Sequence, residues 1–174
     1  MVYVIGAHHN IQCRSWLQES KYFQFEEYLK IQVAKYGITM IAEELSEEAM
    51  GSCGVKESIG QKVARELGIE HQFCDPTSEE RKSLGIPSEA ELKQRLGLGR
   101  FLKDGELRRL DEEKQKYWYI RERFWLDRIR HTAGQAILFI CGDSHVDSFH
   151  WLLKSEGLDV EILSKHWGVN RCDA

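Results

Sequence analysis

The sequence predicts a three-layer α/β domain, with a mostly parallel sheet of about five strands and helices on both faces. Short strand signals alternate with helical stretches along the chain. Two of the strand signals, Val2–Ala7 and residues 136–142, are nearly continuous apolar runs, as expected of strands covered on both faces. Two helical stretches end at glycines, Gly37 and Gly68, each placed to stop a helix in the left-handed conformation before a strand begins.

Taken in order, the strand over Val2–Ala7 is followed by a helix over 15–36, a strand over 38–44, a helix over 56–67 and a strand over 69–75. Both prolines, Pro76 and Pro87, fall in residues 76–105, which read as a small helix-and-loop insertion. Within it Ser88 and Glu91 have capping-box spacing and start a helix running to Leu96. A long amphipathic helix over 110–131 leads to the strand over 136–142, a helix to Gly157 and a last strand over 159–163. No repeat, low-complexity tract or long linker divides residues 1–174, so one domain is expected.

Composition narrows the function. With 174 residues and 42% hydrophobic content the chain can bury a core, and a net charge of -4 gives no electrostatic reason for a nucleic-acid partner. No apolar run is long enough to span a bilayer, and the N-terminus reads as a strand rather than a signal peptide, so a cytoplasmic protein without membrane contact is expected. Five cysteines, at 13, 53, 74, 141 and 172, form no CxxC pair and read as free thiols. P-loop, GxGxxG, HExxH and GxSxG motifs are absent.

In a parallel α/β sheet ligands bind beyond the carboxyl ends of the strands. Those ends are polar here: Gly6-Ala7-His8-His9, Glu43-Glu44, Cys74-Asp75 and Gly142-Asp143-Ser144-His145. An apolar strand followed by G-x-x-H occurs twice, and the glycine is expected to let the backbone turn and deliver His9 and His145 to the rim. Convergent imidazoles suit a divalent transition metal. Glu43 and Glu44 point to opposite faces, and alternation alone leaves open which one looks toward His9. On the long helix Tyr117, Trp118, Ile120, Phe124, Trp125 and Ile129 form an apolar face with Arg121 and Arg128 in its middle, while Glu122 and Arg123 project toward solvent. Arg121 there must find an acid, a ring or a ligand anion; Arg128 is expected to snorkel or stack. His71 and Asp75 share a face of the third strand, with His71 read as a core residue, and Cys74 and Cys141 are read as core. His166-Trp167-Gly168 is either a further approach to the rim or a tail, and residues 50–60 either a lid or a surface loop.

The paired Gly6…His9 and Gly142…His145 motifs, with Ile41-Ala42-Glu43-Glu44-Leu45 and Arg121-Glu122 between them, resemble the superfamily that includes TraB, the Tiki metalloproteases, the haem-binding ChaN proteins and erythromycin esterases. The resemblance selects Glu44 as the family's glutamate before leucine and pairs Arg121 with an acid. It implies divalent-metal peptidase, haem-binding or esterase chemistry, so the fold alone does not fix the reaction.

The expectation is a metal-dependent hydrolase of an ester, amide or phosphoester in a small molecule or peptide. His9, Glu44 and His145 are the candidate ligands for a manganese, cobalt or zinc ion. Glu43, Asp143 or Asp75 are candidate general bases. Arg121 is the group to stabilise a developing anion or, with His8 and Asp75, to bind ligand. The alternative is a non-catalytic binding module for a small anionic or haem-like ligand. A homodimer through Trp118 and Trp125 is a further expectation.

Overall fold

The computed structural model describes residues 1–12, 19–52, 54–132 and 134–168, with the side chains of residues 9, 10 and 19 outside the description. The elements are β1 (Val2–Ala7), α1 (His9–Gln12), α2 (Glu19–Tyr36), β2 (Met40–Glu43), α3 (Glu47–Ser52), α4 (Ile59–Leu67), β3 (Glu70–Phe73), α5 (Ser78–Ser83), α6 (Glu89–Leu96), α7 (Asp104–Gln115), α8 (Trp118–Arg130), β4 (Ile137–Cys141), α9 (Val146–Ser155) and β5 (Val160–Trp167). A 3-10 turn over Asp143–His145 joins β4 to α9.

The strands form one five-stranded sheet in the order β3-β2-β4-β1-β5, and every neighbouring pair is parallel. The apolar strands β1 and β4 are buried along their whole length, because helices cover both faces. Val2, Val4, Phe139 and Cys141 pack against Trp125, Leu126 and Ile129 of α8 and Phe149, Leu152 and Leu153 of α9. Tyr3, Ile5, Leu138 and Ile140 face the other way, onto Phe25, Leu29 and Val33 of α2 and Ile59, Val63 and Ala64 of α4. Gly68 ends α4 at φ 68°, as its position predicts, and both α5 and α6 start with complete capping boxes, Thr77 with Glu80 and Ser88 with Glu91.

The long helix expected over 110–131 is two helices. Between α7 and α8 the bonding tightens from i+4 to i+3: the Lys116 N–H donates to Glu113 O and the Tyr117 N–H to Lys114 O. Strand β5 runs further than expected, to Trp167, whose ring packs 4.5 Å from Phe25, so the segment 166–167 is strand. Gly6 does not turn the chain. It sits inside β1, where a Cβ would lie 2.2 Å from the Lys165 carbonyl oxygen and 2.5 Å from Val146 Cγ2, so close approach is what requires glycine. Gly142, at φ -58° and ψ 141°, adopts backbone angles open to other residues.

Among the described residues, no helix is long and apolar enough to cross a membrane.

Candidate active site at the crevice between β2 and β4

After β2 the chain passes to α4 on one face, and after β4 to α9 on the other. Adjacent strands whose connections leave for opposite faces open a crevice at their carboxyl ends. Glu44, the residue after β2, spans it: Oε2 accepts the Gly142 N–H at 2.7 Å, and Oε1 accepts Arg121 Nη2 at 2.7 Å. Its side chain is 1% exposed.

His145 ends the 3-10 turn beside it. Its Nε2 lies 3.6 Å from Glu44 Oε1, and its Nδ1 lies 2.8 Å from Oε1 of Glu122, which also accepts the Ser148 hydroxyl at 2.6 Å. The rings of Trp118 and Trp125 pack 4.4 and 5.0 Å from the imidazole. A carboxylate at Nδ1 holds the proton there and aims Nε2 at Glu44. At 3.6 Å that second contact is longer than a hydrogen bond. Two ligands bound at about 2.1 Å to a tetrahedral ion stand about 3.4 Å apart, close to this separation, and the Glu44 oxygen concerned is the one that also accepts Arg121 Nη2.

Arg121 forms the adjoining floor. Its Nε and Nη2 donate to Asp75 Oδ1 at 3.0 and 2.7 Å, and the Trp125 indole N–H donates to the same oxygen at 3.0 Å. Arg81 pairs with Asp75 Oδ2. Burial works against the Arg121 charge, but the Glu44 and Asp75 carboxylates outweigh it and raise its pKa above the ordinary value. Glu44, Arg121, Ser144 and His145 line the base of a cavity of about 530 Å³, and Ile86, Pro87, Leu92, Tyr117 and Trp118 contribute apolar walls.

The other sequence candidates fall in different places. His9 begins α1 at the end of β1, which pairs with β4, so its backbone lies at the same rim; its side chain lies outside the described residues. His8 is exposed. Glu43, a candidate base, is fully buried on the opposite face, where Oε1 contacts the Ser58 hydroxyl and His71 Nε2, the latter at 2.8 Å. The sheet therefore separates it from the cavity. His71 and Asp75 do not share a face: β3 ends at Phe73, the Cys74 and Asp75 N–H groups bond to Glu43 O and Leu45 O, and Asp75 turns toward α8. Asp143 is partly exposed beside Ser144, with Oδ2 3.3 Å from His166 Nδ1. Arg128 stacks on Phe124, not on a tryptophan, and pairs with Glu80 at 2.6 Å.

Glu122, expected in solvent, is 2% exposed and holds His145. Within α8, Glu122 stands at i, i+3, i+4 and i+7 with the buried Trp125, Leu126 and Ile129, so it lies on the core face; a wheel centred on Arg121 turned it outward, and the signal that did mark the residue was the arginine-acid pair Arg121-Glu122. Of the two tryptophans expected to mediate a dimer, Trp125 is in the core and Trp118 lines the cavity, partly exposed. Cys74 and Cys141 are free and buried; burial pushes the Cys74 thiol up to about 12 and Cys141 well above its usual range. Of residues 50–60, read as a lid or a surface loop, 50–52 end α3 and 59–60 begin α4, and Cys13, Cys53 and Cys172 lie outside the described residues. Among the described residues, no group of three or more His, Cys, Asp or Glu side chains is placed to hold a metal ion.

No family model matches the chain, and neither a curated protein nor a solved structure matches it.

Proposed function

We propose that the chain is a metal-dependent hydrolase acting on an ester, amide or phosphoester of a small molecule or peptide. The observation that supports this reading is the gap between His145 Nε2 and Glu44 Oε1, with the imidazole oriented from behind by buried Glu122. Glu44 and His145 would hold a manganese, cobalt or zinc ion, with His9 as third ligand from the neighbouring strand end. Such an ion, when bound, polarises the substrate oxygen and acidifies a water. The resemblance of the paired G-x-x-H motifs to the TraB and Tiki superfamily supports the same ligand set.

The chain's own residues supply the rest. Arg121, fixed by Asp75 and Glu44, presents a permanent positive charge to a developing oxyanion. Trp118, Ile86 and Leu92 hold the apolar part of the substrate and exclude water. Of the three candidate bases, Asp143 is the one assigned to receive the proton by elimination: Asp75 is engaged by Arg121 and Arg81 and Glu43 is beyond the sheet, whereas Asp143 is partly exposed next to the cavity residue Ser144, with His166 3.3 Å from its carboxylate.

A second reading, a binding module for a small anionic or haem-like ligand, has one observation in its favour. The cavity carboxylates already have cationic neighbours: Arg121 for Glu44, Lys93 and Lys114 for Glu89, and Lys114 for Asp111.

Calorimetric titration of Mn²⁺, Co²⁺ and Zn²⁺ into the wild type, His9→Ala and His145→Ala tests the first reading, with an ester, peptide and phosphoester panel assayed with and without each ion. Saturable binding by the wild type, weakened in both variants and accompanied by metal-stimulated turnover, is expected. Equal, negligible binding by all three proteins removes the metal, and ligand binding without turnover favours the second reading.

A further inference from the structure

The main cavity has a neighbour on the other side of part of its wall. A second cavity of about 410 Å³ lies between α5 and α6, and Arg81, Ile86 and Pro87 line both. The two differ in charge. In the first, Arg121 and Arg81 are offset by Glu44 and Asp75, and Lys114 by Glu89. The second adds Lys82 and Arg95, neither of which has an ion-pair partner within salt-bridge distance among the described residues. Its one carboxylate, Glu91, caps α6, where Oε2 accepts the Ser88 N–H at 2.7 Å and the Ser88 hydroxyl at 2.8 Å, and its single charge, felt by Arg95 and Lys82, offsets only one of those two cations. The result is a polar floor in the first cavity, a boundary of Ile86, Pro87 and Arg81 that both cavities share, and a net positive groove beyond it.

We infer that the cavity takes an amphiphilic anion, with an apolar or aryl part against Trp118 and Ile86 and a carboxylate or phosphate held between Lys82 and Arg95. This deepens the proposed function by assigning its substrate class, but anion recognition in the groove does not depend on turnover. The apolar lining at Trp118, Ile86 and Pro87 selects the body of the ligand through burial, and exposed cations add a modest, salt-sensitive preference for a charged end.

The test uses the full chain and three fluorescent probes of similar size: naphthol, naphthylacetate and naphthyl phosphate. Dissociation constants are measured by fluorescence titration at low and high salt, for the wild type and for Lys82→Glu/Arg95→Glu. Both substituted residues are exposed, and circular dichroism checks that the variant is folded. The wild type is expected to bind at least one anionic probe roughly fivefold more tightly than naphthol, the effect of two exposed ion pairs. That preference shrinks at high salt and vanishes in the double variant, while naphthol binding stays unchanged. The tighter of the two anionic probes distinguishes a phosphate from a carboxylate ligand. Equal affinity for naphthol and both anions, no binding of any probe, or a preference that survives in the double variant overturns the inference. Failure of every ester to turn over with any metal would instead remove the hydrolase reading and leave the probe result standing.

Discussion

Glu122 accepts the buried His145 ring N–H and the partly buried Ser148 hydroxyl. Glu122→Ala leaves the His145 Nδ1 donor without an acceptor, whereas the Ser148 hydroxyl keeps the His145 carbonyl at 3.2 Å, and a stability loss of about 1–3 kcal/mol is expected in urea denaturation. If His145 is a metal ligand, the same change lowers metal affinity by about 10–100-fold in a calorimetric titration, because the ring is no longer oriented. Asp143→Asn is expected to reduce kcat by about 10²–10⁴-fold on any substrate the wild type turns over, with metal binding retained. Cys74 gives a pH signature. Its thiol is pushed from the usual 9.0 to about 12 by burial, so between those values the unfolded chain has released a proton that the folded chain keeps. The unfolded state binds fewer protons, and stability falls as pH rises, by about 1.4 kcal/mol per unit from this thiol. Denaturation midpoints from pH 9 upward, compared with Cys74→Ala, should show a shallower decline in the variant.

At the scale of elements, α4 opens against Glu43: a Cβ at Gly60 would lie 2.6 Å from the Glu43 carboxyl carbon. Helix propensity alone predicts that Gly60→Ala stabilises by up to about 1 kcal/mol. Close approach predicts the opposite, a loss of about 1–3 kcal/mol, and the second is expected in thermal denaturation. Helix α5 depends on Glu80, which the Thr77 backbone N–H first, then the Thr77 hydroxyl and Arg128, hold below the usual carboxylate range despite burial. Its contribution is present above the ordinary value of 4.5 and lost as pH falls through the depressed one. The α6 box was legible because capping is a local pattern of fixed spacing, and the Thr77–Glu80 box of α5 has the same spacing but went unread within the helix-and-loop insertion. The joint between α7 and α8 was not, since apolar residues keep helical period across it and the tightened bonds at Lys116 and Tyr117 use backbone groups that every residue has.

For the whole molecule, the sheet was the most legible feature, because β1 and β4 must be apolar on both sides once helices cover both faces. The order β3-β2-β4-β1-β5 was not, because strand neighbours depend on crossovers that leave no mark on any one segment. The rim was legible in part. Strand-end polarity pointed to Glu44 and His145, whereas Glu122 and Ser148 reach His145 from helices; Glu122 shares the period of the buried Trp125, Leu126 and Ile129, but a carboxylate on an apolar face is legible only once its partner is known. Stability should be uneven across this architecture. The buried apolar residues of 76–115 are Ile86, Leu92 and Leu110, against the fully buried run of β4. Hydrogen exchange followed by mass spectrometry is expected to label α5, α6 and α7 well before β1 and β4.

The indole of Trp125 shares an oxygen of Asp75 with Arg121, although the ring itself is sealed in the core. Any guest that draws the guanidinium away changes the electric field along that N–H, so the chain contains its own optical gauge of occupancy. Arrival of an anion can be followed as a shift in ultraviolet emission from a residue the guest never touches.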